Sequence, residues 1–240
     1  MEPLGTRQGL RLSWRPGEFT VHSANHVVAR AEGACAGGVY GLLTREESCS
    51  LISQLATCDD PGKGLPEVPW AAAVERLDGS VAISCSPMLG AGVFWSLGTQ
   101  ASGANHLVIA TDPAWVVRNR HRKTSLDDDY IANWLLGDTL VETTPYREVH
   151  RVPTGETFVW REANRRPAVV QWCGPAVWPE PTLTLRDARS EYLLAFDTVV
   201  ADLMSRTGPL AAAVSGGLDS TFLAASLALQ TTRERPVHGF

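Results

Sequence analysis

The feature that most constrains the fold is a short segment near the carboxyl end, Ser215-Gly216-Gly217-Leu218-Asp219-Ser220. An apolar run at residues 209–214 precedes it and is short enough for a buried parallel strand. An apolar segment at residues 221–229 follows it, with spacing that suits a helix. The sequence therefore predicts a strand, a glycine-rich loop and a helix in direct succession.

Such a loop can bind a phosphate group. The backbone N–H groups at a helix amino terminus attract an anion, as does the helix dipole. Gly216 and Gly217 let the backbone approach a phosphate without a Cβ in the way, and Ser215 and Ser220 add hydroxyl donors. Asp219 would repel a bare phosphate, so its presence indicates that Mg²⁺ lies between the carboxylate and the phosphate.

The same residues could instead form only a tight turn, in which Asp219 and Ser220 cap the helix. The complete hexapeptide, placed between a strand and a helix, favours the phosphate loop. The Walker A pattern Gly-x-x-x-x-Gly-Lys-Ser/Thr does not occur in the sequence. Chemistry at the α-phosphate of a nucleotide is therefore favoured over transfer of a terminal phosphoryl group.

The hexapeptide resembles the pyrophosphate loop of the ATP pyrophosphatase superfamily, in the form used by asparagine synthetases, β-lactam synthetases and lasso-peptide macrolactam cyclases. The similarity extends over roughly residues 75–240, because upstream segments follow the order of the family. One of them, residues 144–155, is similar to the passage Val-x-Arg-x-Pro-x-Gly that precedes the synthetase domain. The other upstream segments are Leu77-Asp78-Gly79, Ile109-Ala110-Thr111-Asp112 and Ser125-Leu126-Asp127-Asp128-Asp129-Tyr130.

The resemblance implies a site for ATP and Mg²⁺ along the loop. Its members are Val214, Ser215, Gly216, Gly217, Leu218, Asp219 and Ser220. The two glycines and two serines would bind the β- and γ-phosphates that leave as pyrophosphate, Asp219 would hold Mg²⁺, and Val214 would border the adenosine together with the strand end near Phe240. The second magnesium carboxylate and the catalytic lysine of the family are expected beyond Phe240, so no catalytic residue is assigned.

The first part of the chain is predicted to be a mixed α and β region with largely antiparallel sheets. Helical patterns occur at residues 45–55, 69–76 and 126–136. The resemblance implies an α+β fold here, a degenerate class II amidotransferase-like (Ntn) αββα sandwich, followed by the start of a Rossmann-like α/β domain. Short apolar runs that predict strands lie at residues 27–29, 38–40, 81–83, 93–95 and 107–110.

The proline-rich stretch before the hexapeptide predicts a domain boundary. We expect an amidotransferase-like domain at residues 1–173, a linker at 174–183, and the beginning of an ATP-binding synthetase domain at 184–240. Residues 236–240 are predicted to form a second parallel strand, and Thr184 is predicted to cap a helix whose apolar face carries Tyr192, Phe196, Val199, Val200 and Leu203. One βα unit does not complete such a domain, so the remainder is expected in a longer chain or a separate polypeptide.

Amidotransferase activity is not expected from the first domain. A class II amidotransferase uses an amino-terminal cysteine, whereas Glu2 follows Met1 here and Cys35 is the first cysteine. The family's glutamine-binding signatures, Arg-Gly-Pro-Asp and Asn-Gly-Glu, are absent from the sequence. Glutamine is therefore not the expected source of the attacking amine.

The resemblance then implies a synthetase that adenylates a carboxylate and lets an amine in the same substrate attack it. A lasso-peptide cyclase, which forms a macrolactam in a peptide, is favoured by the divergent first domain and the eight tryptophans. A β-lactam synthetase acting on a small molecule and an ammonia-dependent asparagine synthetase are the alternatives within this class. A non-catalytic module that binds a peptide or a partner protein is the alternative from another class.

Composition limits the partners and the compartment. A net charge of −5 gives no reason to expect nucleic acid, and no segment reaches the about 18 apolar residues of a membrane span. The five cysteines lack metal or disulfide spacing and are expected to be reduced, which predicts a cytoplasmic protein. The basic run at residues 118–123 is interpreted as a solvated loop, with contact to an acidic peptide as the alternative.

Four histidines, an aspartate run and two arginines outside the loop are interpreted without a catalytic role. His106, His121, His150 and His238 are interpreted as surface or core histidines without metal spacing. Asp127-Asp128-Asp129 is interpreted as the start of a capped helix. Arg147 and Arg151 are interpreted either as plain surface residues or as contacts to the second domain.

Overall fold

The computed structural model describes residues 9–15, 18–24, 26–28, 36–58, 68–89, 92–99, 105–120, 122–137, 143–161, 167–173, 184–206, 210–231 and 237–239. The chain divides into two compact units, Met1–Pro175 and Ala176–Phe240. The first unit combines helices with antiparallel sheets, so the mixed α+β class is confirmed. Within the described ranges, no helix has both the length and the apolar character needed to cross a bilayer.

The first unit is built mainly from short strands. Its described helices are α1 (Arg45–Thr57), α2 (Pro113–Asn119) and α3 (Asp128–Leu135). Its described strands are β1 (Arg11–Arg15), β2 (Glu18–Ser23), β3 (His26–Val28), β4 (Ala36–Gly41), β5 (Trp70–Glu75), β6 (Val81–Cys85), β7 (Val93–Thr99), β8 (Asn105–Ala110), β9 (His150–Val152), β10 (Glu156–Trp160) and β11 (Ala168–Gln171).

These strands form two sheets that pack face to face. The five-stranded sheet has the order β2-β1-β8-β7-β9, and the six-stranded sheet has the order β11-β10-β6-β5-β4-β3. Alternate residues of each strand point to one face. The core between the sheets is therefore built from every second residue, such as Trp14 and Leu107 from one sheet and Ala73 and Ile83 from the other.

A helix covers the outer face of each sheet. Leu51 and Leu55 of α1 pack on the six-stranded sheet, in a cluster that includes Val74. Val116 of α2 packs against Val108 on the five-stranded sheet. The first unit thus has four layers in the order helix, sheet, sheet, helix.

The predicted helix at residues 69–76 is wrong, because β5 lies there as a strand between β4 and β6. Three consecutive alanines gave this segment its helical appearance, since alanine has the highest helix propensity. All residues of β5 are buried, with Ala73 facing the core between the sheets and Trp70 and Val74 facing α1. A strand buried on both faces shows no alternation, so periodicity could not separate it from a helix.

The segment at residues 144–155 connects the two sheets of this unit. It contains β9, which pairs with β7 of one sheet, and leads directly into β10, which pairs with β6 of the other. The turn between them is residues 153–155, and Gly155 has φ +78°. A Cβ on Gly155 would stand 2.7 Å from the carbonyl oxygen of Cys173, so glycine is required by both the backbone angle and the space.

The second unit contains the predicted strand, loop and helix. Its described elements are α4 (Leu185–Arg206), β12 (Leu210–Ala212), α5 (Leu218–Gln230) and β13 (Val237–Gly239). Strands β12 and β13 pair in parallel, as predicted. Thr184 accepts a hydrogen bond from the N–H of Asp187, which confirms the predicted cap of α4. The predicted linker at residues 174–183 lies outside the described residues.

Candidate functional site

The candidate site is the loop between β12 and α5. Gly216 has φ +83°, a left-handed conformation that favours glycine, and a Cβ at this position would meet no atom within 4 Å. A Cβ on Gly217 would meet only the Ser215 hydroxyl, at 3.5 Å. Space therefore remains open beside both glycines, where a phosphate group would have to approach.

The two serines of the loop lie together. Their hydroxyl oxygens are 3.1 Å apart, and the Ser220 hydroxyl also donates to the carbonyl of Gly217 at 3.1 Å. Two hydroxyl groups thus converge beside the start of α5, on either side of the glycine pair in the sequence. Each can turn its proton toward an anion, because a serine O–H rotates freely about its Cβ–Oγ bond.

The start of α5 has no side-chain cap. Gly217 is the N-cap residue, and its carbonyl accepts the first hydrogen bond of the helix, from the N–H of Thr221. The alternative in which Asp219 and Ser220 cap this helix is therefore wrong. Asp219 is exposed in the first turn, and α5 has thirteen residues, so it presents a full helix dipole at the loop.

The hydrophobic members of the predicted site lie at its border. Val214 is 40% exposed, and one of its methyl groups lies 3.9 Å from the position of a Cβ on Gly239, at the end of β13. Leu218 is 90% exposed at the first position of α5. Phe240, which was expected to border the adenosine, lies outside the described residues.

Metal ligands do not cluster in the part of the chain that is described. Within it, no group of three or more His, Cys, Asp or Glu side chains is arranged to hold a metal ion. At the loop, Asp219 is the carboxylate that the sequence assigns to Mg²⁺, and it projects from the first turn of α5.

Several residues outside the loop have the structural roles that the sequence predicts. Asp127 caps α3 by accepting hydrogen bonds from the N–H groups of Asp129 and Tyr130, both at 3.1 Å. Arg147 is exposed and forms an ion pair with Asp128 at 3.1 Å. His106 is buried, and His150 and His238 are exposed, whereas His121 and Cys35 lie outside the described residues.

One ionic cluster was not predicted. Arg120, interpreted as part of a solvated basic loop, is buried, and its guanidinium donates to Glu148 at 3.0 Å. Glu148 also accepts hydrogen bonds from the hydroxyl and N–H of Ser125, at 2.7 and 3.0 Å. These bonds, led by that from the Ser125 hydroxyl and joined by the Arg120 charge, lower the pKa of Glu148 to about 2. The cluster was not predicted because Arg120 and Glu148 are far apart in the sequence, and no local pattern indicates that they meet.

Cys49 is an exposed thiol, and Cys85 is a buried one. Cys85 lies in the core between the sheets, where burial raises the pKa of its thiol to about 12, although the nearby Arg151 acts in the opposite direction. A thiol with such a pKa remains protonated and is a poor nucleophile. Cys85 is therefore a packing residue rather than a substitute for an amidotransferase cysteine.

No protein-family model matches the sequence, and no curated protein is detectably similar to it.

Proposed function

We propose that the protein takes part in ATP-dependent amide-bond formation, with a peptide macrolactam as the product. A substrate carboxylate would attack the α-phosphorus of ATP, giving an acyl-adenylate and releasing pyrophosphate. An amine of the same substrate would then attack the acyl carbon and release AMP. The observation that supports this most directly is the open, glycine-lined loop at the uncapped start of α5, where two serine hydroxyls converge.

Each residue of the loop has a role in this proposal. The N–H groups of the first helical turn and the hydroxyls of Ser215 and Ser220 would bind the departing pyrophosphate. Asp219 would hold Mg²⁺, which supplies positive charge against the phosphate oxygens. Gly216 and Gly217 would let the backbone come close to the anion. Val214 and Leu218 would provide apolar surface at the edge of the nucleotide site.

We further propose that the first unit is an amidotransferase-like domain without glutaminase activity. Support comes from its four-layer order of helix, sheet, sheet and helix, which fits the αββα arrangement that the resemblance implies. We propose the boundaries given by the sequence, with a first domain at residues 1–173, a linker at 174–183 and a synthetase domain from residue 184. Because the proposed reaction consumes ATP, we place it in the cytoplasm.

The test is substrate-dependent exchange of labelled pyrophosphate into ATP by the full-length protein. The substrates are peptides with a free amino terminus and an internal Asp or Glu, and a release assay for AMP follows the complete reaction. Asp219→Ala should lower exchange about 100-fold, as is typical for loss of one electrostatic contact in a transition state. Asp197→Ala, which removes an exposed carboxylate from α4, is the matched control and should leave exchange unchanged.

Other outcomes would overturn parts of the proposal. Equal exchange by the wild type and Asp219→Ala would remove the magnesium role of Asp219. Formation of asparagine from aspartate and ammonium would assign the loop to an ammonia-dependent synthetase, and lactam formation from a small β-amino acid substrate would assign it to the β-lactam type. Absence of AMP release with every substrate would exclude the ligase and leave the peptide- or partner-binding module.

A further inference from the structure

The two sheets of the first unit do not cover each other completely. Strand β2 contacts β4 across the core, and β9, at the opposite edge of the five-stranded sheet, contacts β6 and β10. The six-stranded sheet extends one strand further, to β11. Among the described strands, none of the five-stranded sheet therefore lies opposite β11.

The uncovered face of β11 is apolar. Val169 pairs with Phe158 of β10, so the two side chains lie on the same face, and Phe158 packs against the core between the sheets. Val169 is 51% exposed. Strand β11 has the sequence Ala-Val-Val-Gln and carries no charge, although edge strands are commonly protected by charged residues.

The neighbouring edge of the other sheet lies beside this face. His150 of β9 is exposed and pairs with Trp95, and the centroids of their rings are 4.6 Å apart. Trp95 in turn lies edge-on to Phe158 at 6.1 Å. A strand added to the outer side of β9 would therefore lie opposite β11, with its inward side chains over Val169 and Phe158.

We propose that this edge binds an extended peptide, which pairs with β9 as a sixth strand of the five-stranded sheet. Main-chain hydrogen bonds to β9 would supply most of the affinity, and apolar side chains at every second position would enter the space above β11. A peptide with an Asp or Glu side chain directed toward β11 should bind less well. Its carboxylate would be repelled by that of Glu156, which lies on the same face of β10 as Phe158.

The size of the surface identifies the occupant as a single strand. Val169 is 51% exposed and Phe158 is only partly exposed, so their apolar area is far below the about 800 Å² that a stable interface between folded proteins buries on each partner. A second folded copy of the chain would therefore gain too little area here. An extended segment needs less apolar area, because main-chain hydrogen bonds to the three residues of β9 also contribute to its affinity.

The binding test uses fluorescein-labelled Lys-Val-Thr-Val-Thr-Val-Lys and fluorescence anisotropy, without nucleotide, so that it can fail independently of the proposed ligase. We expect saturable binding below about 1 mM. Val169→Asp should weaken binding about tenfold or more, because it places a charge opposite the inward valines. Ala168→Asp is the matched control on the other face of β11, and it should change the affinity less than about twofold.

A pair of N-methylated peptides tests the backbone pairing. One carries N-methyl groups on both threonines and the other on the valines, so each has one edge of the strand blocked. Binding should be lost for one peptide and kept for the other, because only one edge of an added strand faces β9. Far-UV circular dichroism should show the same fold for both protein variants.

Four outcomes would overturn the proposal. They are absence of saturable binding, equal loss of affinity in Val169→Asp and Ala168→Asp, and equal behaviour of the two N-methylated peptides. The fourth is a concentration-dependent dimer in sedimentation that Val169→Asp abolishes, which would make a second copy the occupant of this surface.

Discussion

Substitution of two glycines with the same backbone conformation would separate the cost of a backbone angle from the cost of a steric contact. Gly79 and Gly155 have φ values of +76° and +78°. A Cβ on Gly79 meets no atom within 4 Å, whereas a Cβ on Gly155 would be 2.7 Å from the carbonyl oxygen of Cys173. Replacing either glycine by alanine therefore imposes the same strain but different crowding.

The expected free energies of unfolding follow from these contacts. An alanine in the left-handed region costs about 1–2 kcal/mol, and about 0.4–1 kcal/mol is recovered because the unfolded chain loses freedom. Gly79→Ala should therefore destabilise the protein by about 1 kcal/mol. Gly155→Ala must also move the turn away from Cys173. That movement would break the bonds from the N–H groups of Trp172 and Cys173 to the Gly155 carbonyl, both 3.0 Å, at about 1 kcal/mol each.

Urea unfolding would measure the difference, which should be about 2 kcal/mol. Tryptophan fluorescence is a suitable signal, since Trp172 stacks on Trp70 with their ring centroids 5.9 Å apart and their planes 9° apart. Circular dichroism should give the same midpoint if the first unit unfolds in one step. A difference below about 0.5 kcal/mol between the two variants would refute the reasoning. It would mean that crowding of a Cβ at position 155 against the Cys173 carbonyl oxygen does not measurably lower the free energy of unfolding.

Arg76 donates two hydrogen bonds of 2.8 Å to the carbonyls of Leu55 and Cys58 at the end of α1, so Arg76→Met should cost about 3 kcal/mol in urea unfolding. The half-exposed Arg161→Met should cost less than about 1 kcal/mol, and equal losses would contradict the capping role. The pKa of Glu148 is lowered from 4.5 to about 2 in the folded state, so its contribution to stability is present above pH 4.5 and disappears as the pH falls toward 2. The free-energy difference between the wild type and Glu148→Gln should therefore shrink over that range, and a constant difference would contradict the assignment.

The strands of the first unit were predictable where short apolar runs contain β-branched or aromatic residues. Residues 81–83, 93–95 and 107–110 are continuous apolar runs of this kind, and all of them lie in strands. The error at β5 arose because its three alanines favour a helix although the segment is a buried strand. Small alanines pack between two layers there, and neither helix propensity nor periodicity contains that information.

The candidate loop was predictable because its elements are adjacent in sequence. Strand, glycine pair and helix follow one another within residues 210–230, and local patterns determine each of them. The pairing of Arg120 with Glu148 could not be predicted, since it depends on how α2 and the segment before β9 meet in space. The same applies to the uncovered face of β11, which results from unequal numbers of strands in the two sheets.

The turn at residues 153–155 also affects how the first unit assembles. It is the short covalent link between β9 and β10, which belong to different sheets, so one continuous stretch of chain supplies a strand to each sheet. Insertion of one residue into β10 would send the side chains of Phe158 and Trp160 to the helix side of the sheet. The short turn therefore couples the strand register of one sheet to that of the other. We expect the backbone amides of the two sheets to become exchangeable in one opening event and not in two successive ones, which hydrogen exchange would measure.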